Sequence, residues 1–144
     1  MESNATKIKN PKALDDVLSF VSTGNAIPLL HEIKYALSAL LSSGTESIID
    51  LGAIPFAPGD ERVLDEALGL GEVDATLTVM GESQIRETGI PGVWRIEHFN
   101  SAGERQSRFI EITFMPDILK TQREDAARGL EVLMDRLGAL DANR

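Results

Sequence analysis

The hydrophobic period of this chain changes near residue 73, and that change limits the folds open to it. Before it, apolar residues recur at helical spacing: Leu14, Val17, Leu18 and Val21 in one stretch, Leu30, Ile33, Leu37, Leu40 and Leu41 in the next. After it, Val73, Ala75, Leu77 and Val79 alternate with Asp74, Thr76 and Thr78. The first pattern buries one face of a helix and the second one face of a strand. Helical and strand patterns grouped in blocks, with several strands in succession, indicate an α+β fold with a mostly antiparallel sheet.

Punctuation sharpens the elements. Asn10 as cap, Pro11 at the first helical position and Gly24 as terminator predict a short helix over 11–22. A second helix is expected over 26–42, stopped by Gly44. Ser47–Leu51 is a short apolar run that reads as a buried strand. It reaches the sheet through a helix and is free to lie parallel to a neighbour. Pro55, Pro58 and Gly59 precede a helix over 60–68 ending at Gly69. Strands are predicted over 73–79 and 83–88, the latter anchored by Ile85 alone. Two more, 93–99 and 106–115, are joined by Asn100–Glu104 as a hairpin. Pro116 ends the last, and a helix over 119–137 closes the chain. Its inner stripe is Ala126, Leu130, Leu133 and Leu137, with Glu124 and Arg128 paired outside. The predicted order is α-α-β-α-β-β-β-β-α: four to five strands with helices packed on one face. Residues 1–22 read as an arm and short helix, 23–144 as the main domain.

Composition narrows the function classes. The 144 residues include 42% hydrophobic ones, enough for a core without disulfides or structural metal. Cysteine is absent, which removes thiolate metal sites and thiol catalysis. The net charge is −9, with 14 basic residues scattered among 23 acidic ones. Nucleic-acid and anionic-membrane binding need clustered cations and are not expected. The N-terminus lacks the apolar core of a secretion signal, and no stretch has the ~20 apolar residues of a membrane span. The expected location is cytoplasmic.

Reactive constellations are sparse. His31 precedes Glu32 on the second helix, but position 35 is tyrosine, so a His-x-x-x-His metal pair fails. His98 lies in a strand, and meets His31 only if the fold brings them together. No G-x-S-x-G elbow or Ser-x-x-Lys motif occurs. Gly69-Leu70-Gly71 leads into a strand, so it cannot offer helix amides to a phosphate. Glu87 and Glu111 are the carboxylates best placed on the sheet; solvated side chains are their simpler reading. Trp94 stands beside Val93 after a Pro-Gly turn, either as core or as an interface anchor. Alternation places Trp94, Ile96 and His98 on one sheet face and Val93, Arg95, Glu97 and Phe99 on the other. The face without helices would then stay partly open as a docking surface.

Several tracts together resemble the conserved C-terminal region of the HupH/HyaF family of hydrogenase expression and formation proteins. They are Thr23-Gly24-Asn25-Ala26, Leu29 to Ile33, Ile49-Asp50-Leu51, Leu68 to Val73, Glu87-Thr88 with Pro91 to Trp94, and Ile110-Glu111-Ile112 before Pro116. The resemblance spans roughly residues 23 to 120. It implies an accessory role in maturation of nickel–iron hydrogenases, around the small, iron–sulfur-bearing subunit, with no established catalytic activity. Typical members are longer and can carry the region twice. One copy here makes a homodimer an attractive substitute for the second.

The expectation is therefore an assembly factor, not an enzyme, without resident cofactor or metal. It would bind a hydrogenase small-subunit precursor or another maturation protein. The expected contact residues are His31 and Glu32 on the second helix and Glu87, Thr88, Pro91, Gly92 and Trp94 in one irregular loop. The rival readings are a metal- or ligand-binding module delivering to the cluster site, and a small enzyme with a cryptic carboxylate site.

Overall fold

The computed structural model describes residues 11–18 and 20–143, so Asn10 and its predicted cap lie outside them. Two compact units are present, one ending at Phe114 and one beginning at Met115. The first holds helices α1 (Pro11–Leu18), α2 (Ala26–Ser43) and α3 (Pro58–Leu68). It also holds strands β1 (Ser47–Asp50), β2 (Asp74–Thr78), β3 (Glu82–Glu87), β4 (Val93–Phe99) and β5 (Arg105–Ile112). The second holds a short 3-10 turn, Asp117–Leu119, and helix α4 (Arg123–Ala142). The predicted α+β class and element order are those observed.

The five strands form one sheet in the order β1-β5-β4-β3-β2, antiparallel throughout. β1 does not run parallel to a neighbour. The β4–β5 hairpin leaves the outer edge of β5 open, and β1 pairs there, Ile49 opposite Ile110. That hairpin closes as its residues suggest. Asn100 Oδ1 accepts from the Ala102 and Glu104 amides, at 3.0 and 2.9 Å.

Period two assigns the faces. Val93, Ile110, Ile112 and Ile49 project to one side and meet Leu29, Ile33 and Leu40 of α2 and Leu64 and Leu68 of α3 in the main core. These nine and Leu51, each stabilised by about 1.5–3 kcal/mol on burial, make this layer the principal source of stability. Trp94 and Ile96 of β4 and Ile85 of β3 point to the other side and are also buried, so the centre of that face is closed. Ile48, toward the β1 edge, is exposed there.

Two ends differ from expectation. α1 stops at Leu18 and not at 22; beyond it the Val21 carbonyl accepts from the Gly59 amide and the Ser22 hydroxyl donates to Asp60. The last helix starts at Arg123, four residues later than predicted, after the 3-10 turn that Pro116 introduces. Its leucines are not an inner stripe: no residue of α4 is buried. Arg128 pairs with Asp125, one turn away, and not with Glu124.

Candidate binding cleft

The first unit is tied together by one carboxylate that the sequence does not single out. Asp60, at the third position of α3, is fully buried. Its oxygens accept from the Ser22 hydroxyl (2.7 Å), the Thr23 hydroxyl and amide (2.6 and 2.9 Å), the Gly24 amide (3.2 Å) and the Ala57 amide (2.9 Å). Burial by itself pushes such a carboxyl up. The bonds from Thr23, Ala57 and Ser22 outweigh it and hold Asp60 well below the usual carboxylate range. Gly24 and Asn25 do make the turn into α2, but the Asn25 side chain does not cap it. Asn25 Nδ2 donates to the Pro55 carbonyl at 2.8 Å.

A second knot joins two tracts far apart in sequence. The Gly71 amide donates to the Glu87 carbonyl (2.9 Å), the Glu87 amide to Val73 (2.9 Å) and the Gly89 amide to Leu68 (2.8 Å). Glycine is required at position 71 for space: a Cβ there would stand 2.5 Å from the Thr88 carbonyl oxygen. Thr88 is buried and holds the loop that follows. Its hydroxyl lies 2.9 Å from the Val93 carbonyl and accepts from the Ile90 amide at 3.1 Å. Gly92 turns that loop with φ +94°, and a Cβ would meet Leu37 of α2 at 2.9 Å.

Between this knot and the sheet lies a cleft of about 440 Å³, contained within residues 65–97. The C-terminal end of α3 supplies Asp65, the following segment Gly69 and Leu70, and β3 and β4 supply Gln84, Arg86, Arg95 and Glu97. Glu87 and Thr88 complete it. Arg86 and Arg95 sit directly opposite on paired strands, an arrangement that costs energy unless each charge is compensated. Arg86 Nε is 3.5 Å from Asp74. The buried Arg95 Nη2 is 2.8 Å from Asp65 Oδ1, an ion pair without hydrogen-bond alignment. Two guanidinium groups, several carboxylates and Leu70, 86% exposed, line one depression. Such a surface can grip a chain segment carrying both charge and an apolar side chain. It contains no histidine, and its one hydroxyl is engaged in the Thr88 loop.

The structure divides the seven expected contact residues among four places. Glu87 and Thr88 border the cleft. Pro91 is exposed at the loop tip and Gly92 packs toward α2. Trp94 takes the core position: it is 6% exposed, and its Nε1 donates to the Thr113 carbonyl at 3.1 Å. His31 and Glu32 are exposed on α2, six residues from the point where Gly92 approaches Leu37. That is roughly 9 Å along the helix. Helix α2 covers one face of the sheet. His98 projects from the other face, with Nδ1 2.7 Å from Ser83 Oγ and its ring edge-on to Phe109. His31 and His98 therefore do not meet. Glu87 and Glu111 flank Trp94 from opposite sides, two strand spacings or roughly 9–10 Å apart. Among the described residues no three His, Cys, Asp or Glu side chains converge on a metal position, and no helix is long and apolar enough to cross a membrane.

Sequence reasoning found Glu87 and Thr88 but missed Arg86, Arg95 and Asp65. The signal available was alternation: Arg95 falls on the helix-bearing face beside Val93, where a cation needs a partner.

Comparison with known proteins covers the segments that build these knots. Residues 23–140 match the family model described as HupH hydrogenase expression protein, C-terminal conserved region. The match begins at Thr23, the first residue to bind Asp60 through both amide and hydroxyl. The hydrogenase expression/formation protein HupQ of Azotobacter chroococcum mcd 1 is 34% identical over 119 residues, covering 81% of this chain and 42% of the relative. HupH of Rhodobacter capsulatus is 34% identical over 113 residues, covering 76% and 41%. The chain thus spans about two fifths of the length of these curated relatives. The solved structure of the hydrogenase expression protein HupH from Thiobacillus denitrificans ATCC 25259 is 44% identical, with a TM-score of 0.79 over 83% of this chain and 99% of that one. Fold, sequence tracts and coverage agree, and the chain belongs to the HupH hydrogenase expression protein family through its C-terminal conserved region.

Proposed function

We propose that this chain is an accessory factor in nickel–iron hydrogenase maturation, one that holds a segment of the small-subunit precursor or of another maturation protein without catalysing a reaction. The observation that carries the reading is the cleft. Two tracts that carry the family resemblance, Leu68–Val73 and Glu87–Thr88, are knotted together at its rim. A shaped, charged depression on a rigid sheet suits recognition of an extended segment. Paired guanidinium and carboxylate groups would fix its register more than its affinity. Pairing of the chain with a second copy is a further part of the reading.

Binding to a purified small-subunit precursor, followed by calorimetry, tests the proposal. Leu70→Glu combined with Arg86→Glu changes two exposed cleft residues and leaves the core intact. The expected result is affinity lower by at least tenfold with an unchanged melting temperature. Undiminished binding by that variant, with a loss on His31→Ala plus Glu32→Ala, would move the contact to α2. Absence of binding by the native chain to precursor and to other maturation proteins alike would remove the proposal.

A further inference from the structure

Strand β5 falls out of step with β4 near its start. His98 stands opposite Ser107, but Phe99 stands opposite Arg105, so Gln106 is an extra residue in β5. Such a bulge re-aims the side chains beside it. In strict alternation Arg105 would share a face with Ser107. Opposite Phe99 it shares one with Arg108, which stands opposite Glu97. The bulge thus sets two guanidinium groups next to each other on the helix-bearing face. With Gln106, Ser107, Ile54 and Phe56 they line a depression of about 270 Å³ that has no carboxylate in its lining. On a chain of net charge −9 that is a local reversal of sign. Arg108 is held from behind: it pairs with Glu61 and lies over the Phe56 ring, 5.8 Å from its centre. Arg105 is half exposed and stands 3.9 Å from Glu97, beyond hydrogen-bond reach, so its donors stay available. Ile54 and Phe56, both half-buried, add apolar surface.

We propose that this depression binds an extended acidic segment of a partner protein, with one carboxylate held between Arg105 and Arg108 and a neighbouring apolar side chain against Ile54 and Phe56. Guanidinium forks suit a carboxylate, which accepts from both. Two features favour a chain segment over a free anion. β1 pairs with β5 only from Phe109 to Ile112, so the stretch Arg105–Arg108 has no strand on its outer side and keeps room for an extended backbone. A wider depression of about 550 Å³ shares Phe56, Arg105 and Arg108 and continues to Arg62 of α3, so the two form an elongated groove. The carboxylate-free depression shares no lining residue with the cleft between α3 and β3, so this contact is separate from the one described above.

Fluorescence anisotropy on the full chain tests the proposal with a labelled, end-capped peptide of alternating glutamate and leucine. The same peptide with glutamine for glutamate is the control. The chain as a whole repels an acidic peptide, so binding reports a local site. The native chain should bind the acidic peptide at least tenfold more tightly than the control. Arg105→Glu should lower that affinity at least tenfold with an unchanged melting temperature, and Arg105→Lys should fall between the two. Leu70→Glu with Arg86→Glu should leave it unchanged. Absence of binding, equal binding of the two peptides, or undiminished binding by Arg105→Glu overturns the proposal. A loss in the Leu70→Glu, Arg86→Glu variant as large as that in Arg105→Glu also overturns it, by placing the peptide in the cleft. Displacement of the peptide by sodium acetate or inorganic phosphate, at concentrations near the peptide's own dissociation constant, overturns the segment in favour of a free anion.

Discussion

Helices α2 and α4 have nearly the same length and each carries an apolar stripe at helical spacing, yet only α2 is buried. α2 sinks Ala26, Leu29, Ile33 and Leu40 into the core, with Leu30, Ala36 and Leu37 at its margins. α4 sinks none of its leucines. Spacing does not separate them: Ala26, Leu30, Ile33, Leu37 and Leu40 follow one another at the same intervals as Ala126, Leu130, Leu133, Leu137 and Leu140. The covered face of α2 meets Val93, Ile110 and Ile112 on the sheet. An apolar stripe thus states that a face suits cover, and only the folded chain shows what supplies it.

The largest expected effect tests the buried side of this contrast. Leu40 is 2% exposed, and its removal leaves a cavity between α2 and the sheet. Leu40→Ala should cost about 2–5 kcal/mol in urea denaturation. A loss below 1 kcal/mol would mean that α2 is held no better than α4.

The next effect concerns what seats α2. The segment leading into it is fastened by Asp60, whose folded pKa lies below the ordinary carboxylate value. A depressed folded pKa gives stability that is fully present above the unfolded value and is lost as pH falls below about 4 toward the folded one. Native protein should therefore lose stability steeply in that acid range. Asp60→Asn should already melt several degrees lower at neutral pH, with a shallower acid slope. Parallel acid curves for the two proteins would show that this carboxylate does not hold the segment.

These same elements mark how far the sequence could be read. Alternation and turn residues were enough for β4, β5 and their hairpin, because period two and Asn100–Gly103 chemistry act locally. α2 and α3 were equally legible from their stripes and stops. The end of α1 was not, since Ser22 is engaged by a carboxylate 38 residues away. The cleft was half legible. Glu87 and Thr88 stood out through the family resemblance, but Arg95 became meaningful only when α3 placed Asp65 beside it. Trp94 lay between two readings until its indole N–H found the Thr113 carbonyl. The stripe of α4 was seen, but inner was the wrong word for it, because periodicity alone does not distinguish a sheet beneath a helix from a second helix beside it.

The smallest expected effect is the one that bears on that last distinction. Leu133 is 55% exposed, so Leu133→Ala removes little surface from contact within the single chain. Measured by urea denaturation in dilute solution, the change should stay within about 0.5 kcal/mol, as for ordinary surface positions. A loss above 2 kcal/mol in the dilute sample would place Leu133 with Leu40, as a residue covered within its own chain, and the contrast between the two helices would no longer hold.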